Sequence, residues 1–199
     1  MTVGVWKVEE SHECLRSMFQ DFSIYEEGYA RFTSDKRKVE WLAVRALLKE
    51  LCGEEKSVSY YPSGKPYLTD GSARISFSHT QGYVAVAVHP CKEVAVDIEQ
   101  YGTRVKRVAH KFIRGDEQIP IEPLQEIQAL LLHWSAKETL YKLLDKEGVD
   151  FIRHLQVFPF ELVEEGEFVA CEHLTKQNEC FPVHYHTHPH YVLTYASRP

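Results

Sequence analysis

Hydrophobic and polar positions along this chain follow two periods, and the switches between them mark its elements. Residues 3–8 read as a first strand. Over residues 36–51 the apolar Ala43, Val44, Leu47, Leu48 and Leu51 fall on one arc of a helix, capped by Ser34 or Asp35 and stopped by Gly53. Strands are expected at residues 58–61, 73–77, 83–88 and 94–98, with a Pro-Gly turn at 62–66 and a hairpin at 89–93. A basic segment at 102–114 predicts a short helix, and a polar connection at 115–123 leads to a long helix over 125–144. After Gly148 the pattern turns to strands at 155–163, 167–174, 181–186 and 191–195, with turns at 164–166 and 187–190. Each half thus offers a long helix followed by antiparallel strands, which predicts an α+β fold.

Two of these elements carry residues that the pattern alone does not explain. With Trp134 at the centre of the buried face of the long helix, Ile127, Leu130, Leu131 and Tyr141 fall within about 60° of it. Glu138 falls there too, about 40° from Trp134, with Lys137 and Lys142 on the two edges of the arc. A carboxylate on a buried arc needs a neutralising cation or metal, unless Glu138 and Lys142 are a surface pair at i,i+4. On the strand at 94–98, Val94, Val96 and Ile98 take one face and Ala95, Asp97 and Glu99 the other. Carboxylates at i and i+2 then lie about 7 Å apart. Such a pair favours a raised pKa or a bound hard cation, unless the strand end is simply solvated. On the first helix Lys38, Arg45 and Lys49 form a basic stripe nearly opposite the apolar arc. It is either a solvated face or a phosphate grip in which Arg supplies a bidentate fork.

Composition narrows the classes. The 199 residues suffice for one domain or two small halves, expected at residues 1–100 and 101–199. Hydrophobic residues at 44% and charged ones at 26% match an ordinary soluble globular protein. A formal net charge of -6 argues against a nucleic-acid binder, so any basic site is local. No apolar run approaches the ~20 residues that span a membrane. The start Met1-Thr2-Val3-Gly4 shows no basic-then-apolar leader, so no signal peptide is expected. Cys14, Cys52, Cys91, Cys171 and Cys180 are odd in number without Cys-x-x-Cys spacing, which reads as reduced structural thiols in a cytoplasm.

Other chemistries fit less well. His184 and His186 share a strand face and alternating histidines ligate zinc or copper, but no Cys or acid clearly completes the set before the Pro189 turn. An exposed hairpin with adventitious metal affinity is the simpler reading. Phosphate-loop, nucleophile-elbow and dinucleotide motifs are absent. Ser78 and His79 are neighbours on a strand, which points them to opposite faces and does not suit a nucleophile–base pair.

Four stretches nevertheless stand in the order of one family: Gly64-Lys65-Pro66, Phe77-Ser78-His79-Thr80, Val96-Asp97-Ile98-Glu99 and Trp134-x-x-Lys137-Glu138-x-x-x-Lys142. Over residues 45–142 the chain resembles a 4′-phosphopantetheinyl transferase of the surfactin-synthetase-activating type. The resemblance implies two pseudo-symmetric α+β halves, each a long helix packed on a small antiparallel sheet, with the active site in the cleft between them. It implies transfer of phosphopantetheine from coenzyme A to a serine of an acyl or peptidyl carrier protein. That reaction depends on magnesium and releases adenosine 3′,5′-bisphosphate. By the same resemblance Asp97, Glu99 and Glu138 bind the metal, and Lys137 and Lys142 lie near the CoA pyrophosphate. Ser78 and His79 contact phosphate, Lys65 contacts CoA, and Arg45 stands near the 3′-phosphate. Lys36, Arg37 or Lys38 supplies an upstream basic contact. Glu138, directly or through a water, is the expected base for the carrier serine, and Lys142 the group that stabilises or protonates the leaving phosphate. A cytoplasmic monomer without nucleic-acid or membrane partners is expected. Ala95 replaces the usual Gly, and Phe77-Ser78-His79-Thr80 lacks the usual Asn and second Ser; neither change removes a charge. The alternative is a catalytically silent CoA- or nucleotide-binding protein of the same fold.

Overall fold

The computed structural model describes residues 1–198. In chain order the first elements are β1 (Thr2–Lys7), α1 (His12–Ser17), α2 (Ser23–Ala30) and α3 (Asp35–Cys52). Gly53 ends α3 with a φ of 75°, a left-handed conformation that glycine takes without strain. The short helices α1 and α2 have no counterpart in the hydrophobic pattern, and they overturn the reading of a solvated basic face on α3. Leu15 of α1, Tyr25 of α2 and Phe19 between them join the cluster around Leu42, Ala43 and Leu48. Lys49 Nζ is drawn in, donating to the Met18 carbonyl at 2.7 Å and to Glu55 Oε1 at 2.9 Å. Arg45 is left only 3% exposed.

A small hairpin, β2 (Val58–Tyr60) with β3 (Pro66–Leu68), precedes β4 (Arg74–Thr80), β5 (Tyr83–His89) and β6 (Glu93–Gln100). The chain continues through α4 (Arg104–Val108), a 3-10 turn (Ala109–Lys111), α5 (Pro123–Leu144), β7 (Leu155–Val157), β8 (Glu165–Glu172), β9 (Cys180–His188) and β10 (Tyr191–Arg198). Two main sheets result, β1-β5-β4 under α3 and β6-β10-β9-β8-β7 under α5, so the fold is mixed α+β. Although β6 lies within residues 1–100, it is hydrogen-bonded to β10 and belongs to the second sheet. Residues 158–163 are not strand: Pro159 removes a ladder donor, and Phe160 and Leu162 reach the core from an irregular run instead. Consequently β7 pairs with the far end of β8, Leu155 opposite Glu172, and Glu164, Glu165 and Gly166 make no hairpin turn. Among the described residues no helix is long and apolar enough to cross a membrane.

Serine and threonine side chains join the two sheets. The amides of Val96, Ile98 and Gln100 donate to Ser76 Oγ, Ser78 Oγ and Thr80 Oγ1 at 3.2–3.3 Å. The constant offset sets β4 parallel to β6, with hydroxyls replacing the carbonyls of an ordinary ladder. Behind this seam Ala85 and Ala87 of β5 meet Val94, Val96 and Ile98 of β6 and Leu193 of β10. Small residues let the sheets close tightly there, and Asp97 is carried to the other face.

α5 buries more than the face expected, with Leu130 and Leu131 of the expected arc only 3% and 4% exposed. Leu132, Ala136, Leu140 and Leu143, opposite Trp134, are at most 2% exposed, whereas Tyr141 is 43% exposed. The helix is apolar around most of its circumference, so periodicity alone does not orient it, and Trp134 itself packs on the same core between Phe112 and Phe151. A buried hydroxyl triad ties α5 to β10: Thr194 Oγ1 lies 2.8 Å from Ser135 Oγ and 2.7 Å from Thr139 Oγ1. Thr194→Val would leave both hydroxyls short of a partner. A loss of about 1–3 kcal/mol is expected in chemical denaturation.

The expectation of five reduced thiols also needs correction. Cys171 and Cys180 stand directly opposite on β8 and β9, Cα atoms 4.0 Å apart, and are disulfide-bonded; Cys14, Cys52 and Cys91 are free. Hairpin register, which the nine-residue spacing does not reveal, brings the two together.

Candidate active site

Asp97 is the centre of the site. Its carboxylate, on the α5 side of β6, is 4% exposed. Oδ1 accepts from Ser78 Oγ at 2.9 Å and from Lys142 Nζ at 2.8 Å. Lys142 also donates to the Val96 carbonyl at 2.9 Å. Oδ2 is buried without any hydrogen-bond partner, an acceptor whose desolvation costs at least about 1–3 kcal/mol unless something fills it.

Two further carboxylates share this field. Glu99 Oε1 accepts from Trp134 Nε1 at 2.7 Å. Burial first, and then the Asp97 charge, push Glu99 up to about 7 against the opposing hydrogen bond from Trp134. Glu138 is pushed to about 7 by burial and then by Asp97, with Lys142 pulling the other way. Lys142 is thus the cation among three acids. These residues fit a divalent ion: hard carboxylate oxygens, one of them orphaned, in a field short of positive charge. Among the described residues no three His, Cys, Asp or Glu side chains form a closed metal cage. Magnesium does not ask for one, because it binds through one or two carboxylates and fills its shell with water and substrate phosphate.

The same charges make stability depend on pH. Between 4.5 and 7 folded Glu99 and Glu138 hold protons that the unfolded chain has lost. Their contribution is therefore present at low pH and fades as pH rises through that window. In thermal melts of the metal-free protein from about pH 5 to about pH 8, Glu138→Gln is expected to decline less steeply than the parent.

Basic and aromatic side chains line the groove beside the acids. A cavity of about 470 Å³ is bounded by Lys65, Phe77, Tyr141, Lys142 and Lys146, with the acids Asp145 and Glu147 at the same wall. A second, of about 270 Å³, shares Gly64, Pro66 and Phe77 with it and adds Arg37, Arg45 and His79. The Arg45 guanidinium lies 3.8 Å over the Trp41 ring and donates to Tyr60 Oη at 2.8 Å, while its Nε has no partner. Burial lowers its pKa from an arginine's usual value, so a phosphate there would meet a guanidinium poor in counter-charge. Arg37 reaches the same pocket, 3.4 Å from His79 Nε2 and 3.4 Å from Glu40, whereas Lys36 and Lys38 do not line it. Of the three upstream cations, Arg37 is the one that lines this pocket. Lys65 is paired with Glu93 at 2.6 Å, and Glu93 also holds Arg74.

Two expected phosphate contacts are placed otherwise. Lys137 is fully buried, 2.8 Å from Glu117 Oε1, and also donates to the Phe112 carbonyl at 2.5 Å and the Phe151 carbonyl at 3.2 Å. One residue before Glu138, it is turned about 100° around the helix, away from the groove. Ser78, 7% exposed, spends its hydroxyl on Asp97 and the Ile98 amide and supports the acid rather than facing a phosphate. Trp134, given no role from sequence, holds the candidate acid Glu99, and Glu117, also given none, pairs with Lys137 in the core. The histidine hairpin lies elsewhere, with His184 beside Glu167 at 3.2 Å and His186 beside Glu165 at 3.6 Å.

A family model described as the 4′-phosphopantetheinyl transferase superfamily matches residues 93–196, from the start of β6 to near the end of β10. No curated protein matches the chain.

Proposed function

Because that match spans just over half of its length, the chain belongs to the 4′-phosphopantetheinyl transferase superfamily, and we propose that it moves phosphopantetheine from coenzyme A to a serine of an acyl or peptidyl carrier protein. The observation that carries this reading is the orphaned, buried Oδ2 of Asp97, set among Glu99, Glu138 and Lys142 at the end of a basic groove. A magnesium ion held by Asp97 with one of its neighbours Glu99 and Glu138, its shell completed by water and substrate phosphate, would offset the charge of the pyrophosphate as that charge redistributes during attack.

The chain's own groups supply the rest. Arg37, Arg45 and His79 receive one phosphate in their pocket, and Lys65 and Lys142 border the path to the acids. The carrier serine oxygen bonds to the β-phosphorus while the bond from that phosphorus to the bridging oxygen breaks. Glu138 takes the serine proton, directly or through a water, and Lys142 supports the departing phosphate of adenosine 3′,5′-bisphosphate. Such transfer needs position and charge more than covalent chemistry, which a fixed set of acids and cations provides. A protein partner also fits the surface: Ile121 and Leu124, at the start of α5, are 95% and 77% exposed. Asp97 and Glu138 come from one chain, so we read the unit as a monomer.

The test is to incubate the protein with coenzyme A, magnesium and a panel of apo carrier proteins, then weigh the carriers. A phosphopantetheine adduct on serine is expected. Coenzyme A binding without an adduct on any carrier would replace this reading with the silent binding protein.

A further inference from the structure

Lys137 sits at the middle of α5 with its whole side chain out of water, yet three separate oxygens meet its ammonium. They come from Glu117, from the Phe112 carbonyl after α4 and from the Phe151 carbonyl after α5. Glu117 is tied in turn, accepting from the Arg114 amide and the Val157 amide, each at 2.8 Å. Lys137 therefore clamps two distant segments onto one turn of helix. Those segments deliver rings: Phe112 lies 5.1 Å and Phe151 5.4 Å from the ring of Trp134, centroid to centroid. Trp134 is held between them, and its indole N–H is the hydrogen-bond donor to Glu99.

We propose that Lys137 and Glu117 are positioning residues that fix Glu99 through the Phe112–Trp134–Phe151 aromatic box. The claim rests on reading Glu99 as a metal acid. A carboxylate with one oxygen already oriented loses less freedom on binding a cation, and such outer contacts are worth about 10–100-fold in metal affinity or activity.

Fluorine NMR of protein labelled with fluorotryptophan reads the box without turnover, the Trp134 line being the one absent from Trp134→Phe. In Lys137→Met that line is expected to shift and broaden, and the half-saturating magnesium concentration to rise about tenfold or more, with KM for coenzyme A near the parent value. Trp134→Phe keeps the clamp but lacks the N–H, so it should show the same magnesium effect. An unmoved fluorine line in Lys137→Met would overturn the proposal. So would a raised KM for coenzyme A with an unchanged magnesium requirement, because that is the signature of a phosphate contact. Should Lys137→Met fail to fold, Glu117→Gln, which keeps one neutral acceptor for the ammonium, must shift and broaden the line relative to the parent or the proposal falls. Should no carrier be modified, the functional reading fails. The fluorine line and a calorimetric magnesium titration of the parent against Trp134→Phe then decide the positioning claim alone.

Discussion

Asp97→Asn is expected to lower kcat/KM for carrier modification by about 10³-fold or more while leaving the folded protein intact. Asparagine keeps the shape, and its amide oxygen can still accept from Ser78 and Lys142, the two groups that hold Oδ1. What disappears is the negative charge and the free oxygen at Oδ2. Cation stabilisation of transferring phosphate is worth several kcal/mol, and about 4 kcal/mol corresponds to the thousandfold loss. Stability should move the other way. The Asp97 charge raises both Glu99 and Glu138, so removing it relieves repulsion in the metal-free protein above about pH 7. Carrier mass spectra and thermal melts together read the two effects. Transfer within tenfold of the parent would remove Asp97 from the centre of the site.

What the sequence revealed and what it hid follow one physical division. Features decided within an element were legible: alternation put Asp97 and Glu99 on one face of β6, and Gly53 marked the end of α3. Features decided by what packs on an element were not. Arg45 looked solvated until Trp41, Tyr60 of β2 and Phe77 of β4 packed around it, while Lys49 met the Met18 carbonyl between α1 and α2. The orientation of α5 was only half legible: Leu130 and Leu131 of the expected arc are buried, but so is the opposite side, because a helix that is apolar nearly all round offers little contrast for periodicity to read. Lys137 and Lys142 stand in one motif with the same chemistry. Five residues turn them about 140° apart, so one meets Glu117 in the core and the other meets Asp97 in the groove. Only the positions of two acids remote in the chain separate their roles.

Glu138→Gln tests the proton transfer itself. As general base, Glu138 must be ionised when the serine arrives and able to keep the proton it takes. In the metal-free protein burial and the Asp97 charge hold this carboxyl at about 7, and a bound cation would favour the ionised form that accepts the proton. Positioned bases contribute about 10²–10⁴-fold, so kcat should fall by that factor with little change in KM for coenzyme A. Glutamine retains an oxygen that can ligate a cation weakly, which lets magnesium separate the two roles proposed for this residue. If Glu138 served only the metal, raising magnesium to saturation would restore kcat. A base loss persists at any magnesium concentration. Glu99→Gln is the matched control: its oxygen is already engaged by Trp134, so its defect should shrink as magnesium rises. Turnover of Glu138→Gln within tenfold of the parent at saturating magnesium would assign the proton to another acceptor and leave Glu138 as a ligand alone.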